Sequence, residues 1–232
     1  MFSYYGSKTK LIHLYPAPAH DTIIEPFAGA AAYAMQHWQK QVILYDAYPK
    51  VAAVWQYLIN ATESDIMALP DLKPGDKVTD FTLSDPERWL IGFSINRGSS
   101  VPKVTASQRS DGLTYKKYVC ENLHKVKHWK VMSTSYEECP NQEATWFVDP
   151  PYQKAGKYYY GYSRMDYAKL EVWCKERQGQ VIVCENEGAD WLPFEKLTEF
   201  HGSTKTQTEM LYQQEAGVQV RQLVLPPEQS AS

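Results

Sequence analysis

The chain has 232 residues, 44% hydrophobic and 13% aromatic, with 24 Lys and Arg against 27 Asp and Glu for a formal net charge of −3. That length suits one domain, or a domain with a modest insertion, and is enough for a full core. The charge excludes a globally basic nucleic-acid binder, so any such surface must be local, and no run approaches the roughly 20 apolar residues of a membrane span.

The opening Met1-Phe2-Ser3-Tyr4-Tyr5 lacks the apolar core of a signal peptide. Cys120, Cys139, Cys174 and Cys184 show no Cys-x-x-Cys spacing and have apolar flanks, which reads as reduced, buried thiols of a cytoplasmic protein. The histidines are scattered, so no metal site is expected.

In chain order, Tyr4-Tyr5-Gly6-Ser7-Lys8 suits a tight turn that offers backbone N–H groups and a cation to an anion; a solvated lysine on a loop is the alternative. Thr22-Ile23-Ile24 is a β-branched strand. Glu25-Pro26-Phe27-Ala28-Gly29-Ala30 follows, then a helix over roughly 30–39, which is the first half of a nucleotide-binding βαβ unit. Only one glycine is present, so the dinucleotide fingerprint is missing. Glu25 would repel a pyrophosphate and welcome an ammonium, which points to a zwitterionic ligand. The strand Gln41–Tyr45 ends in Asp46, about 20 residues beyond the first strand, where an acid commonly meets ribose hydroxyls. Tyr48-Pro49 opens a helix to Asn60, so Asp46 is either a ribose acceptor or a helix cap.

Residues 61–129 are less regular. A helix over 86–96 would turn Trp89, Leu90 and Phe93 inward. Arg97, Lys103, Arg109, Lys116, Lys117, Lys125, Lys127 and Lys130 cluster against only Asp111 and Glu121, interleaved with Tyr115, Tyr118 and Trp129. That suits a phosphate backbone; a helix over 113–128 with a solvated cationic face is the alternative.

Residues 129–133 read as a third strand, followed by Thr134-Ser135-Tyr136. The apolar run Trp146–Val148 ends at Asp149-Pro150-Pro151-Tyr152. Two prolines stop the strand and stiffen the loop after it, at the sheet edge where ligands bind. The Asp149 carboxylate and the Pro150 carbonyl are two acceptors for an exocyclic –NH2, with Tyr152 as a ring to stack on a planar base. Lys154–Tyr162 is a tyrosine-rich loop, and Ser163-Arg164-Met165-Asp166 reads as the start of a helix to about 177. Another strand covers 180–184. The alternating runs 207–213 and 218–225 around Glu215-Ala216-Gly217 signal a hairpin. Strands alternating with helices and closed by an antiparallel hairpin imply an α/β sheet covered on both faces.

These blocks, in this order, resemble the Dam-type (α-group) DNA adenine N6-methyltransferases: Tyr4-Tyr5-Gly6-Ser7-Lys8, then Glu25-Pro26-Phe27-Ala28-Gly29-Ala30, Asp46, an insertion, Ser135-Tyr136 and Asp149-Pro150-Pro151-Tyr152. Tyr4 stands where tryptophan is more common and Ser7 where glycine is usual. The resemblance implies a Rossmann-like methyltransferase sheet, mostly parallel with a C-terminal antiparallel hairpin. It implies a catalytic domain over 1–60 and 130–226 and a small target-recognition region over 61–129. It also implies S-adenosylmethionine as cofactor, double-stranded DNA as partner, a flipped-out adenine as target and a monomer. By the same resemblance, Tyr4, Lys8, Glu25, Phe27, Gly29, Asp46, Tyr136 and Asp149 hold the cofactor, with Lys8 near its carboxylate. Asp149, Pro150 and Tyr152 are the catalytic set. An RNA or protein-glutamine methyltransferase and a non-catalytic, cofactor-sensing DNA-binding protein are the competing readings; the Lys8 block preceding the cofactor block argues against the glutamine enzymes.

Overall fold

The computed structural model describes residues 1–95, 98–107, 112–154, 165–201 and 206–214. Seven strands form one sheet: β1 (Thr22–Glu25), β2 (Gln41–Tyr45), β3 (Lys130–Met132), β4 (Ala144–Val148), β5 (Gly179–Asn186), β6 (Glu195–His201) and β7 (Thr206–Gln214), in the order β3-β2-β1-β4-β5-β7-β6. The first five run parallel; β7 enters antiparallel between β5 and β6. The chain winds outward from β1 through β2 to β3, then returns to the other side of β1 with β4. That reversal opens a crevice at the C-terminal edges of β1 and β4, the place where open α/β sheets receive ligands.

The strands are apolar because both faces are covered. Ile23, Leu44, Phe147 and Ile182 face one cluster; Ile24, Tyr45, Trp146, Val148, Val181 and Val183 face the other. The first cluster takes in α1 (Ala32–Gln36), α2 (Pro49–Asn60), α4 (Asp85–Ser94) and α5 (Gly112–Leu123). The second is closed by α6 (Tyr167–Lys175) through Leu170, Trp173 and Cys174. Segment 61–129 has no separate core: Ile66 of α3 (Glu63–Ala68), Leu90, Phe93 and Val119 join the cluster that holds Trp55 and Leu44. Mixed α/β layering of this kind is consistent with a methyltransferase-like fold.

α2 matches the expected helix, with Pro49 in its first turn and Val51, Val54, Trp55 and Leu58 on one buried stripe. Other boundaries shift for local reasons. The helix expected over 30–39 is only Ala32–Gln36, because Ala31 adopts a left-handed φ of 47° immediately before it. The helix expected from Ser163 begins instead at Tyr167, capped by Asp166, whose Oδ1 accepts from the Lys169 N–H; Ser163 and Arg164 lie outside the described residues. The helix expected over 113–128 ends at Leu123 and tightens into a 3-10 turn over His124–Val126. α3 was not foreseen, although Thr62 and Asp65 form a capping box at its start. The strand expected over 207–213 is β7, which pairs with β6 upstream; its expected partner 218–225 lies outside the described residues, as do Arg97, Arg109 and the tyrosines at 158–160 and 162.

No helix among the described residues is long and apolar enough to cross a membrane, and no cluster of three or more His, Cys, Asp or Glu there is arranged to hold a metal. Cys139, Cys174 and Cys184 are buried free thiols and Cys120 is half-buried.

Gly179 opens β5 with φ 99°, and a Cβ there would lie 2.3 Å from the Ala144 carbonyl oxygen in the neighbouring strand. Gly75 has φ 96° with nothing within 4 Å. Gly179→Ala is therefore expected to cost about 2–4 kcal/mol, strain plus overpacking, and Gly75→Ala only about 1 kcal/mol of backbone strain. Equal losses in urea denaturation of the two variants would refute this account of the β4–β5 junction.

Candidate active site

Each strand at the crevice delivers an acidic residue at its C-terminal end: Glu25 from β1, Asp46 after β2, Asp149 after β4 and Glu185 from β5. Buried carboxylates are costly unless hydrogen-bonded or paired, and each of these has an identified partner. Glu25, 2% exposed, accepts from the Ala34 N–H at 2.7 Å, in the first turn of α1. Burial pushes its carboxyl up to about 8, the Ala34 hydrogen bond pulling the other way. Asp46 accepts from the Gly29 N–H at 2.9 Å through one oxygen and from the Tyr48 N–H at 2.8 Å through the other; burial still raises it to about 6. Asp46 thus braces the turn into α2, whose N-cap is Tyr48, and also lines the cleft.

The loop after β1 is fixed from both sides. Gly29 has φ 45°, its carbonyl accepts from the Trp55 indole N–H at 2.9 Å, and a Cβ on it would meet the Tyr4 ring at 3.1 Å. Gly29 is needed here for both its conformation and its closeness to Tyr4. The Phe27 and Tyr136 rings lie 5.3 Å apart with planes 30° from parallel. The N-terminal loop is strapped to segment 61–129: the Tyr5 N–H donates to the Ser99 carbonyl at 3.2 Å, and the Gly98 N–H to the Ser3 hydroxyl at 2.9 Å.

Asp149 sits against a buried cation. The Lys8 ammonium, 7% exposed, lies 3.3 Å from Asp149 Oδ1 and 3.4 Å from Glu209 Oε1, and donates to the Tyr152 hydroxyl. The Tyr152 hydroxyl in turn donates to Glu209 Oε1 at 2.6 Å, and so does the Tyr15 hydroxyl, also at 2.6 Å. Burial would depress Lys8, but Asp149 and Glu209 outweigh it and hold the ammonium above its ordinary value. Asp149 is pushed up to about 6 by burial, against the pull of Lys8. The rest of the loop is braced as well: the Tyr167 hydroxyl donates to the Pro151 carbonyl at 2.6 Å, and the Gln153 N–H to Glu185 at 2.6 Å. Among the described residues none donates to the Pro150 carbonyl.

One cleft of about 250 Å³ gathers Tyr4, Lys8, Glu25, Phe27, Gly29, Asp46, Tyr136 and Asp149, all named from the sequence as cofactor contacts. Pro150 and Tyr152 do not line it; Pro151 does. Two expectations need correction. Lys8 is not a free cation at the mouth of the cleft, because its ammonium is shared among Asp149, Glu209 and Tyr152. Tyr152 does not present an open ring: it is 7% exposed, and the Lys8 ammonium stands 4.3 Å from the ring centroid. The basic segment is also partly structural. Lys116 is buried on Asp71 and the Leu69 carbonyl, Lys127 binds carbonyls at the C-terminal end of α2 (Leu58, Ile59) and just beyond it (Ala61), and Trp129 packs on Trp55. Lys103, Lys117, Lys130 and Tyr118 remain exposed.

Glu209 and Tyr15 were not foreseen. They stand 194 residues apart in the chain, and no local pattern links them. The available signal was a glutamate between Thr208 and Met210 in a strand, an inward charge that needs a partner.

Replacing Lys8 by Met leaves Asp149 and Glu209 without their shared cation. We expect a loss of about 3–5 kcal/mol at pH 8. The Asp149 carboxyl, already raised to about 6, would then titrate still further above its unfolded value of roughly 4, so stability is recovered below the unfolded pKa and lost as pH rises through the raised folded one. A loss independent of pH between 5 and 8, measured by denaturant titration, would contradict the pairing.

Residues 4–83, about a third of the chain, match the family described as "D12 class N6 adenine-specific DNA methyltransferase". No curated protein matches. Among solved structures, the chain is similar to the candidate methyltransferase yhhF of Escherichia coli, at 11% identity over 84% of this chain and 76% of that one, TM-score 0.34. It is also similar to the candidate methylase HI0767 of Haemophilus influenzae, at 12% identity over 90% and 84% of the two chains, TM-score 0.35. The match over residues 4–83, with the α/β sheet that carries them, supports an enzyme of methyltransferase type.

Proposed function

We propose that this chain is a site-specific DNA adenine N6-methyltransferase that uses S-adenosylmethionine on a Rossmann-like sheet. The observation that carries the reading is the meeting, in one cleft, of Asp149 from the loop after β4 with Glu25, Phe27, Gly29, Asp46 and Tyr136. The family match over residues 4–83 supports the same chemistry.

The donor set fits the cofactor's charges. Glu25, Asp46 and Asp149 surround a cleft whose lysine is already paired, so a ligand carrying an ammonium and a sulfonium suits it. In this reading Glu25 meets the ammonium. Asp46, with lone pairs beyond those given to Gly29 and Tyr48, takes the ribose hydroxyls. Phe27 and Gly29 line the methionine and ribose, and Tyr136 lies beside the adenine. When bound, S-adenosylmethionine supplies an electrophilic methyl group.

The adenine N6 lone pair is delocalised into the ring, which makes it a poor nucleophile. Asp149, as a carboxylate, and the Pro150 carbonyl each accept an N6–H and favour the pyramidal nitrogen. Holding that nitrogen in line for attack supplies much of the remaining rate. The target base leaves the duplex at a cost of a few kcal/mol. Tyr152 braces the Asp149 loop through Glu209, and for its ring to stack on the base, Lys8 must withdraw from its face. Double-stranded DNA is the partner. Residues 1–60 and 130–226 form the catalytic domain and 61–129 the target-recognition region, where Lys103, Lys117 and Tyr118 are exposed.

Asp149→Ala is expected to lower methyl transfer to duplex DNA by roughly 10²–10³-fold, the scale of removing one aligned polar contact to the reacting group, with the fold retained by circular dichroism. Tritiated-methyl transfer to duplex DNA, RNA and protein is the measurement. Turnover in the variant equal to wild type would remove the mechanism.

Glu25 gives a second test. With its carboxyl near 8 it holds a proton at pH 7, and a bound ammonium draws that carboxyl down. Cofactor binding at pH 7 should therefore release up to about one proton, seen as a buffer-dependent enthalpy in calorimetry. Glu25→Gln should abolish the release; undiminished release in that variant would move the ammonium site elsewhere.

A further inference from the structure

We propose that Glu209, in the antiparallel strand β7, is a positioning residue for Asp149: it shares the Lys8 ammonium, so that Asp149 keeps acceptor capacity for the target amine. This rests on the reading of Asp149 as the N6–H acceptor. The proposal extends the site to a strand that the Asp-Pro-Pro-Tyr loop does not touch in sequence.

The geometry is that of a divided ion pair. Lys8 Nζ lies 3.3 Å from Asp149 and 3.4 Å from Glu209, nearly equidistant. Both distances exceed the roughly 2.7–2.9 Å of a committed charge-assisted hydrogen bond. An ammonium held by Asp149 alone would close to that distance and occupy the oxygen it faces. Glu209 prevents this by pulling equally from the other side.

Glu209 can do so because it is fixed. Its residue is 2% exposed, and one oxygen, Oε1, accepts from the Tyr15 and Tyr152 hydroxyls, both at 2.6 Å. Burial and the nearby carboxylates raise both phenols, so they stay protonated as donors. The backbone of β7 holds Glu209 in register with Asn186 of β5 and Thr198 of β6. The groups facing Asp149 are Lys8 and Tyr152, Glu209 and Tyr15 from β7 and the N-terminal segment, and Cys184 from β5. Glu25 and Glu185 lie in the next ring of carboxylates. One cation against two carboxylates leaves a net negative cluster beside the cleft.

Two conservative variants separate positioning from mere packing, because they act in opposite directions. Glu209→Gln removes the competing charge, so Lys8 closes on Asp149. Tyr15→Phe removes a donor from Glu209, so Glu209 draws Lys8 harder and Asp149 loses part of its cation. The Asp149 carboxyl is followed by ¹³C NMR in protein labelled at aspartate, assigned with Asp149→Asn, alongside kcat and KM for duplex DNA methylation across pH.

In Glu209→Gln the Asp149 titration should move down by roughly one pH unit, the scale of a single close charge. The acid limb of kcat/KM should follow it, and kcat should fall about tenfold with little change in cofactor KM. In Tyr15→Phe the Asp149 titration should move up. An unmoved titration in folded Glu209→Gln, or a shift of the same sign in both variants, overturns the proposal. If Glu209→Gln fails to fold, the sign in Tyr15→Phe decides alone. Opposite titration shifts in protein that methylates no DNA would keep the positioning role and remove the adenine reading.

Discussion

The ammonium of Lys8 is the contact on which the rest of the cleft depends. Four carboxylates are brought to one sheet edge, and an edge so acidic is stable only if its charge is compensated inside the protein. Backbone N–H groups satisfy part of Glu25, Asp46 and Glu185. Asp149 and Glu209 instead share a single buried cation with two phenols. Removing one partner of such an arrangement is far more costly than its net contribution suggests, because the remaining charges cannot be solvated.

The sheet order is what makes the convergence geometric. β1 and β4 are neighbours although more than a hundred residues separate them in the chain, and the reversal between them opens a crevice at their C-terminal ends. Glu25 and Asp149 emerge there side by side, Asp46 emerges one strand over, and β7 inserts antiparallel next to β5 to bring Glu209 up from the opposite direction. The same apolar cluster packs β1, α2, α3, α4 and α5, so the loops that frame the cleft rest on a common foundation.

Much of this was legible in the sequence wherever short-range chemistry decides the outcome. Thr22-Ile23-Ile24, Pro49 at the head of α2 and the two prolines after Asp149 each impose a backbone geometry locally, and those elements stand where they were expected. β6 was not legible because a bulge between Lys196 and Thr198 breaks its period of two, and its charged residues read as surface. Lys8 stands out in the sequence, but its partners Glu209 and Tyr152 do not: they are long-range, and no spacing rule connects them. Lys116, Lys127 and Trp129 read as a nucleic-acid surface because charge and aromaticity are visible in a sequence, while a carbonyl waiting at the end of a neighbouring helix is not.

The bond between Tyr15 and Glu209 also dictates an order of assembly. It joins an early turn to the last described strand, and Lys8 reaches across to Tyr152 in the same way. Contacts spanning such lengths of chain form late, after local helices and neighbouring strands have closed the intervening loops. A ribosome-bound chain that has emerged only through β5 carries the cleft's walls and Lys8 but not Glu209. The ammonium then faces one carboxylate, and the pocket reaches its working electrostatics only when β7 slides into the gap beside β5.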